Sequence, residues 1–477
     1  MARKVARKDN ESESKELKIF STDLPSEVIT KILLGLPIKN IFICKSVCKG
    51  LNSRISNPDF AQMHVKHTPT GFMLRTNDPD RLSRFVHLLE YEPEMFQNDG
   101  GDSFCFCKDG FIEPECENHV IFDHKFKLPV HVPKLILDNR DQTLNKGGQS
   151  LYTAYQPENS KFDVVNSCAG FLCLCDRNKE YFVVCNPIIG EFIRLPKTTK
   201  TYRTTIYRVD AIYTGFGFHD KTNQYKVVRI LHKRRIWREP KMIMTVEMHT
   251  LGTSTWRNVG DFDDNICELG FPTCVNEALH WICLDDNERS ISRFHFEHEK
   301  FDSLPFPQGS ENGISGTRNI TMGVLNECLY ICDSSFLDIP IRMWIMKDYG
   351  VEESWTRAFS IDTMIRYCWP YGGLYWPVQK FKSPAAILLY HSSNCFIYYE
   401  FRRRQFKCFK VCGSESNLEG IPHIPSHISL KNIVKGGNIK VVDINSRSSK
   451  FKLVEEDEVL FLGEGGLQAF RQKRIYP

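Results

Sequence analysis

The sequence predicts a small all-α unit at the N-terminus followed by a large all-β domain, which we expect to be a β-propeller. Three observations carry this expectation. Residues 24–60 show a compact helical pattern. From residue 71 onwards, short runs rich in Phe, Tyr, Val, Ile and Cys alternate with Gly, Pro, Asn and Asp, as strands alternate with turns. These runs also repeat with a period near 50 residues, which suits a propeller blade of four short strands.

Length and charge bound the possible classes of protein. The 477 residues suffice for two or more domains and a large core. Lys and Arg exceed Asp and Glu by only 62 − 58 = 4, a balance that predicts neither nucleic-acid nor membrane binding. No apolar run approaches the length of a membrane span. Residues 1–20 are charged and lack the apolar core of a signal peptide, so we expect a disordered tail there.

The eighteen cysteines do not have the spacing of a zinc site, because no C-x-x-C pair occurs. Most of them, such as Cys173, Cys283 and Cys332, lie within apolar runs. Free cysteine is a common small core residue, so these patterns favour buried thiols in a reducing compartment. We therefore expect no metal, no cofactor and a location in the cytoplasm, the nucleus or both.

The first helix is predicted from a stripe of apolar residues at helical spacing: Leu24, Val28, Ile29, Ile32, Leu33 and Leu36. Pro25 suits its first turn, and Gly35 with Pro37 ends it. A second apolar run begins at Ile38, a third short one ends at Asn57-Pro58, and residues 59–66 complete the unit. Three such helices are too small to cover their own apolar surface, so we expect another protein or the rest of the chain to cover it.

This stretch resembles an F-box. The matching elements are Leu24-Pro25, Glu27, Val28-Ile29, Ile32-Leu33, Leu36-Pro37, Val47-Cys48-Lys49 and Asn57-Pro58-Asp59-Phe60. Two departures reduce apolar volume, since Leu51 stands where the family usually has Trp and Cys44 where it usually has Phe.

The resemblance implies docking onto a Skp-type adaptor and, through it, onto a cullin of a ubiquitin ligase. The residues it assigns to the adaptor surface are Leu24, Pro25, Val28, Ile32, Leu33, Leu36, Pro37, Ile41, Val47 and Cys48. A charge in this stripe, as in Leu33→Asp, is expected to abolish adaptor binding while the propeller stays folded.

Matching positions in the repeat are Phe171, Leu279, Leu329 and Ile387, separated by 108, 50 and 58 residues. The first interval is about two periods, and residues 215–259 supply the unit between them. Because blades must close a ring, we expect residues 71–431 to form one domain. The segment 432–477 carries two further strand-like runs that the repeat does not place.

The β region also resembles the F-box-associated domain of plant F-box proteins. The matches, in order, are Ser167-Cys168-x-Gly170, Asn186-Pro187, Leu195-Pro196, Gly215-Phe216-Gly217-Phe218, Tyr225-Lys226-Val227-Val228, Leu251-Gly252, Trp256-Arg257, Leu279-His280-Trp281, Ser354-Trp355 and Pro425-Ser426 with Leu430. This resemblance implies a kelch-like propeller. The expected organisation is a tail at 1–20, an F-box at 21–66, the propeller domain at 71–431 and an uncertain extension at 432–477.

Catalytic chemistry is not predicted. The histidines that could act as bases or ligands are His219, His280, His295, His298, His423 and His427, and none has H-E-x-x-H or paired-carboxylate context. His280 precedes Trp281 in an apolar run and is interpreted as a core histidine. The Gly215-Phe216-Gly217-Phe218 run lacks the Lys-Ser/Thr of a phosphate loop, so its glycines are interpreted as sites of close strand approach.

The aromatic stretch 369–377 is the one candidate for target recognition, since it is rich in Pro and Gly and not periodic. The weak candidates within it are Trp369, Tyr371, Tyr375 and Trp376, and simple packing onto the propeller is equally compatible. The sequence therefore favours a non-catalytic substrate receptor of a ubiquitin ligase. A propeller scaffold outside any ligase, a glycan-binding module and a redox or metal enzyme of similar fold stay open as alternatives.

Overall fold

The structure, a computed structural model, describes most of the chain from residue 24 onwards. The described residues are 24–76, 85–89, 120–121, 124–128, 162–198, 207–236, 242–262, 268–284, 289–307, 319–334, 340–361, 373–383, 385–412, 418–434, 439–444 and 461–464. The expected tail at 1–20 lies outside them, as do Trp369 and Tyr371.

Four helices form the N-terminal unit of the described chain: α1 (Ser26–Leu34), α2 (Ile38–Val47), α3 (Lys49–Ile55) and α4 (Pro58–His67). The first three coincide with the predicted apolar runs, and α4 completes the unit. The side chain of Asn57 caps α4 by accepting a hydrogen bond from the Asp59 N–H at 2.8 Å. Pro58 occupies the first turn, where a missing N–H has no cost.

The strands follow in chain order. Those from residue 71 to 219 are β1 (Gly71–Thr76), β2 (Phe85–Leu89), β3 (Val120–Ile121), β4 (His124–Lys127), β5 (Asp163–Cys168), β6 (Phe171–Cys175), β7 (Phe182–Asn186), β8 (Glu191–Arg194) and β9 (Tyr207–His219). Those from residue 224 to 325 are β10 (Gln224–Arg235), β11 (Met242–Thr250), β12 (Arg257–Phe262), β13 (Glu268–Leu269), β14 (Thr273–Val275), β15 (Ala278–Leu284), β16 (Arg289–His295), β17 (Phe301–Leu304) and β18 (Ile320–Leu325). The remainder are β19 (Cys328–Asp333), β20 (Ile341–Met346), β21 (Trp355–Ile361), β22 (Tyr375–Phe381), β23 (Ala386–His391), β24 (Cys395–Glu400), β25 (Gln405–Cys412), β26 (Leu418–His423), β27 (Val442–Asp443) and β28 (Phe461–Glu464), with a short helix α5 (Leu430–Ile433) after β26.

These strands form six antiparallel sheets within the described residues, which are the blades of a β-propeller. Blade 1 has the order β26-β1-β2-β4, blade 2 contains β5 to β8, and blade 3 contains β9 to β12. Blade 4 contains β13 to β17, blade 5 contains β18 to β21, and blade 6 contains β22 to β25. The predicted fold class, a helical unit followed by a β-propeller, is confirmed.

The repeat found in the sequence corresponds to the blades. Phe171, Leu279, Leu329 and Ile387 lie on β6, β15, β19 and β23, which are the second strands of blades 2, 4, 5 and 6. The unit supplied by residues 215–259 is blade 3. Each of these side chains is at most 1% exposed, because the second strand of a blade packs against neighbours on both of its faces.

Apolar clusters fill the interfaces between neighbouring blades all round the ring. Each of the six clusters of the described propeller joins one pair of consecutive blades, and the last joins blade 6 to blade 1 through Phe72, Tyr390 and Leu418. The ring is closed by β26, which pairs with β1 from Gly71↔His423 to Thr76↔Leu418. The first strand of blade 1 therefore comes from the end of the propeller sequence, and closure removes the long exposed edges of an open sheet.

Part of the segment beyond residue 431 adds strands to the outer edges of two blades. In blade 2, β27 pairs with β8, and in blade 6, β28 pairs with β25 and with β3. Val434 also lies in the apolar cluster between blades 2 and 3. In the described part of the chain, no helix has the length and apolar character needed to cross a membrane.

Candidate protein-interaction surfaces

The helical unit has a small core of its own. Leu33, Ile41, Ile55 and Phe60 are each at most 3% exposed and pack together. Ile29, Leu34, Leu36, Cys44 and Leu51 pack against them. The two positions at which the sequence departs from the usual F-box pattern, Cys44 and Leu51, therefore contribute to the inside of the unit.

Two apolar stripes of the unit remain exposed to solvent. Val28 and Ile32, one helical turn apart on α1, are 40% and 54% exposed. Ile43 and Val47, one turn apart on α2, are 54% and 46% exposed. Single exposed apolar residues are ordinary, but paired residues on consecutive helices of a small unit indicate a contact surface. We call these four residues the exposed stripes.

The residues predicted to bind an adaptor fall into three groups. Pro25, Val28, Ile32, Pro37 and Val47 are exposed, Leu24, Leu36 and Cys48 are partly buried, and Leu33 and Ile41 are buried. Cys48 also caps α3, since its sulfur accepts a hydrogen bond from the Leu51 N–H. Adaptor binding by these ten residues stays a prediction. The sequence did not single out Ile43, although it lies one turn before Val47 on the predicted second helix.

The helical unit is fixed to the propeller through α4. Ala61 and Val65 are buried in the cluster between blades 2 and 3, and the ring of Phe60 lies 5.8 Å from that of His427. Two polar contacts surround this apolar centre. Gln62 Nε2 donates to Asn223 Oδ1 at 3.0 Å, and Lys66 Nζ lies 3.4 Å from Asp220 Oδ2.

We call this contact between α4 and the propeller the joint. Two histidines lie at its centre. The rings of His64 and His427 are 5.3 Å apart, and His64 Nε2–H donates to the carbonyl of Leu36 at 3.0 Å. Burial, together with the neighbouring His64 and Lys45, lowers the pKa of His427 to about 4. Burial also lowers the pKa of His64. Both rings are therefore neutral at pH 7.

The chain after β26 forms the seat on which α4 rests. Asn186 Nδ2 donates to the carbonyls of Ser426 and Ile428 at 2.9 Å each. Glu191 Oε2 accepts hydrogen bonds from Ser429 Oγ and the Leu430 N–H, both at 2.8 Å. These contacts hold residues 424–434, which we call the seat segment, against blade 2.

Gly170 is required for the close approach of the seat segment. It lies in the turn between β5 and β6 with φ +88°, and a Cβ there would come within 2.4 Å of Ser426 Cβ and 3.7 Å of Val65 Cγ2. A side chain at this position would displace the seat segment, on which α4 rests. The match of Ser167-Cys168-x-Gly170 to the family pattern thus coincides with the joint.

The joint occupies one end of the propeller. Its contacts come from turns that connect the first and second strands of blades 2 and 3, at residues 169–170 and 220–223. In an antiparallel blade, the connections between blades and those between the second and third strands lie at the other end. We call the two ends the closed end, which bears the helical unit, and the open end.

Apolar side chains are also exposed on the propeller. Ile236, at the end of β10 and therefore at the open end, is 43% exposed. Phe271, which lies between β13 and β14 within the first strand of blade 4, is 71% exposed. Lys233 and Arg234 precede Ile236 on β10, and Arg234 Nε lies 2.7 Å from Asp210 Oδ2. The sequence did not single out Phe271, although a Gly-Phe-Pro run between two strands is a signal for an exposed loop aromatic.

The aromatic candidates at 369–377 are only partly described. Tyr375 begins β22 and is 3% exposed, and Trp376 packs against the cluster between blades 6 and 1 with its ring 5.7 Å from that of Tyr390. In this structure both side chains contribute to blade packing. Target binding by Trp369, Tyr371, Tyr375 and Trp376 stays a prediction.

The histidines considered for catalysis make contacts with polar neighbours in the propeller. His280 is fully buried, its Nε2 is 2.7 Å from the hydroxyl of Tyr349, and burial lowers its pKa to about 3. His423 Nδ1 is 2.8 Å from Ser167 Oγ, and His295 Nε2 is 3.1 Å from Asp302 Oδ2. His219 Nδ1 is 2.8 Å from Thr222 Oγ1. Among the described residues, no three His, Cys, Asp or Glu side chains are grouped as metal ligands.

Comparison with known proteins finds two family profiles that match successive parts of the chain. The profile of the F-box associated beta propeller domain matches residues 117–431, which is about two thirds of the chain, and that of the F-box domain matches residues 21–62. Neither profile adds a kelch assignment, which stays a prediction.

Three similar proteins come from Arabidopsis thaliana. One F-box protein is 28% identical over 226 residues, covering 43% of this chain and 52% of the relative, so that match spans about half of the relative's length. F-box protein CPR1 is 22% identical over 362 residues, covering 71% of this chain and 73% of the relative. An F-box/kelch-repeat protein is 23% identical over 388 residues, covering 79% and 90%.

Proposed function

Because this chain belongs to the F-box-associated β-propeller family and carries an F-box domain at its N-terminus, we propose that it is the substrate-recognition subunit of a Skp/cullin/F-box ubiquitin ligase. In this role it catalyses no reaction. The F-box binds a Skp-type adaptor, the adaptor binds a cullin, and the propeller binds a target protein for ubiquitination. We further propose that it acts in the cytoplasm, the nucleus or both.

The observation that carries this proposal is the pair of exposed stripes on a helical unit that already has a buried apolar core of its own. Val28, Ile32, Ile43 and Val47 have no described neighbour that covers them. Together with Met63, which is 40% exposed on α4, they would contribute about 4–8 kcal/mol if a partner completed their burial. Association itself costs an estimated 4–15 kcal/mol, so burial of these residues alone gives little net binding free energy. The adaptor must therefore use polar contacts as well.

The joint at the closed end supports the mechanism. A receptor raises the rate of ubiquitin transfer by holding target lysines near the loaded enzyme, which requires a defined distance and direction between its two binding surfaces. Here α4 shares an apolar cluster with blades 2 and 3, so the helical unit and the propeller move as one body. A flexible linker would not give this geometry.

The open end is the surface that we assign to the target. It lies at the opposite end of the propeller from the helical unit, so a target there would not compete with the adaptor for space. Ile236 is exposed there, and Phe271, exposed on the first strand of blade 4, is of the residue class that anchors protein interfaces. The identity of the target depends on side chains that no motif specifies.

The test compares two exposed isoleucines of the full-length protein, co-expressed with a Skp-type adaptor. Ile32→Asp should reduce the adaptor recovered with the receptor at least tenfold, because it buries a charge in the interface. Ile236→Asp is the matched control, since Ile236 is similarly exposed but lies at the open end, and it should leave recovery unchanged. Circular dichroism melting verifies that both variants fold.

Leu33→Asp is unsuitable for this purpose, because Leu33 is 3% exposed in the core of the helical unit and its loss of binding would report unfolding. Equal recovery of adaptor with Ile32→Asp and wild type would contradict the assigned surface. Failure of the wild type to bind any Skp-type adaptor would instead indicate a scaffold that acts outside a ligase.

A further inference from the structure

Blade 3 extends further at the open end than the other blades. Its first two strands, β9 and β10, have 13 and 12 residues, whereas the described first and second strands of the other blades have at most 7. Both long strands adjoin the turn at 220–223, which contacts α4, so the additional length lies at the open end. Five extra residues of strand span about 16 Å. We call residues 207–210, 233–236 and 242–243 the blade 3 arm.

The blade 3 arm has an excess of positive charge. Lys233, Arg234 and Arg235 are consecutive on β10, Arg208 lies on β9, and Asp210 is the acidic residue of the arm. The arm therefore has a net charge of 4 − 1 = +3, in a chain whose 477 residues together have a net charge of +4. Within the described residues, Lys233 and Arg235 form no ion pair. The positive charge is thus concentrated at this place and only partly neutralised.

Two arginines of the arm are held side by side at a β-bulge. Arg208 and Arg234 lie directly opposite each other on β9 and β10, an arrangement of like charges that destabilises a strand pair on its own. The register shifts between His232 and Lys233, so Asp210 has no opposite residue on β10. Asp210 Oδ1 lies 3.4 Å from Arg208 Nε, and its Oδ2 lies 2.7 Å from Arg234 Nε. One carboxylate therefore offsets the repulsion between two guanidinium groups and orients both.

Both guanidinium groups keep donors available for a partner. Their ion pairs with Asp210 involve the Nε atoms, and no hydrogen bond within the described residues uses the Nη atoms of Arg208 or Arg234. Both side chains are more than half exposed. A guanidinium has five N–H donors in a plane, and pairs of them match the two oxygens of a carboxylate. The arm therefore presents two oriented groups of donors to solvent, with Ile236 exposed at the end of β10.

We propose that the blade 3 arm binds an acidic segment of the target protein, in which two carboxylates accept hydrogen bonds from the Nη atoms of Arg208 and Arg234. Lys233 and Arg235 attract further Asp or Glu side chains of the same segment. Because Asp210 already orders the two arginines, binding costs less side-chain entropy than it would with two mobile side chains. This inference rests on the proposed role of the open end in target binding, and it specifies the chemistry of the target.

An acidic protein segment suits this surface better than a nucleic acid does. A protein that binds DNA tightly can make about 6–10 phosphate contacts, and these follow the backbone of the nucleic acid. The four basic residues of the arm are instead grouped around one bulge, and one of their charges is offset by Asp210. Arginine is also enriched at protein interfaces, and complementary charge steers the approach of a partner.

The test measures binding of a fluorescent peptide of ten glutamates to the full-length protein by fluorescence anisotropy. Replacing both arginines in the variant Arg208→Gln with Arg234→Gln should weaken binding roughly tenfold or more. Binding by the wild type should also weaken as the salt concentration rises. The matched control is Arg402→Gln with Arg403→Gln, which removes two exposed arginines from the turn between β24 and β25 at the closed end. This control should leave the affinity unchanged, and circular dichroism melting verifies that the variants fold.

A lysine variant separates the oriented donors from charge alone. Arg208→Lys with Arg234→Lys keeps both charges but lacks the planar pairs of donors, so it should weaken binding about fivefold. Binding as tight as that of the wild type, by either the glutamine or the lysine variant, would overturn the proposal. Tighter binding of a ten-nucleotide oligothymidylate than of the peptide would also overturn it, because that result would assign the arm to nucleic acid.

The wild type alone gives a further decisive measurement if an arm variant fails to fold. It should bind the glutamate peptide more tightly than a peptide of ten lysines, and equal binding of the two would overturn the proposal. Because no adaptor is present in these measurements, their failure is distinguishable from failure of the ligase role, which recovery of the adaptor tests.

Discussion

The joint at the closed end and the first strand of blade 4 use phenylalanine in opposite ways. At the closed end, Phe60 is 3% exposed and packs between the core of the helical unit and His427 of the seat segment. Between β13 and β14 of blade 4, Phe271 is 71% exposed. The same side chain therefore contributes to the internal geometry at one position and is available to a partner at the other. In the proposed role, the joint would fix where the adaptor is held, and Phe271 would be available for contact with a target.

The largest effect should come from Phe60→Ala. Truncating a buried phenylalanine costs about 3–5 kcal/mol, through lost burial and the cavity left behind. Because Phe60 lies where the helical unit meets the propeller, the loss should appear as local opening. Hydrogen exchange of the amides in residues 26–67 should accelerate about a hundredfold or more, while exchange in blades 4 to 6 stays as in the wild type.

Phe271→Ala is the matched control for this comparison, and it should change the free energy of unfolding by no more than about 0.5 kcal/mol. Equal destabilisation by the two substitutions would show that Phe271 is covered by other parts of the chain in solution. It would then be unavailable to a target.

Acid should weaken the closed end next most strongly. The pKa of His427 is near 4 in the folded protein and near 6.5 in the unfolded chain, so the unfolded chain binds the proton more readily. The stabilisation is complete above about pH 6.5 and is lost as the pH falls towards 4. Lowering the pH from 7 to 5 should reduce the free energy of unfolding by about 2 kcal/mol through this single group. Denaturant unfolding at the two pH values measures the change.

His427→Phe removes the titrating group while keeping a ring against Phe60, so its stability should fall less between pH 7 and 5 than that of the wild type. The remaining acid sensitivity comes from other buried histidines such as His280 and His423, whose pKa values burial lowers to about 3. An unchanged difference between the two pH values in the variant would mean that His427 is accessible to protons without opening the joint.

The smallest effect should come from the polar contacts at the edge of the joint. Lys66 and Asp220 are 3.4 Å apart and both more than half exposed, and such pairs contribute between 0 and about 1 kcal/mol. Lys66→Ala should therefore lower the free energy of unfolding by less than about 1 kcal/mol, and the effect should decrease in high salt. A loss as large as that of Phe60→Ala would show that charge, and not the apolar centre, holds the joint.

Much of the architecture could be predicted from local patterns. The helical spacing of α1, the proline and glycine signals at its ends and the 50-residue repeat each depend on residues close together in the chain. The repeat identifies the second strands of four blades. These strands are buried on both faces, so each of them appears in the sequence as a continuous apolar run. The number of blades did not follow, because blade 1 combines β1, β2 and β4 with β26 from the far end of the propeller sequence, and neither part shows the repeat alone.

The joint could not be predicted, because its contacts connect distant parts of the sequence. Gln62 and Asn223 are 161 positions apart, and Phe60 contacts a histidine that no local signal distinguishes from the other candidates. For the same reason the stripe of α1 was assigned entirely to an adaptor. Helical spacing identifies an apolar face, but whether Leu33 or Ile32 turns inward depends on where α2 and α4 pack.

The position of the seat segment has a consequence for the order in which the protein is made. The helical unit is synthesised first, yet the residues on which it rests, including Ser426 and His427, follow β26, the strand that closes the ring. A nascent or truncated chain that ends before residue 427 therefore has an F-box without its support. In the proposed role, the orientation of a bound adaptor would be set only after the whole propeller has been translated and closed. An incomplete chain would then not present a target to the ligase in a defined direction.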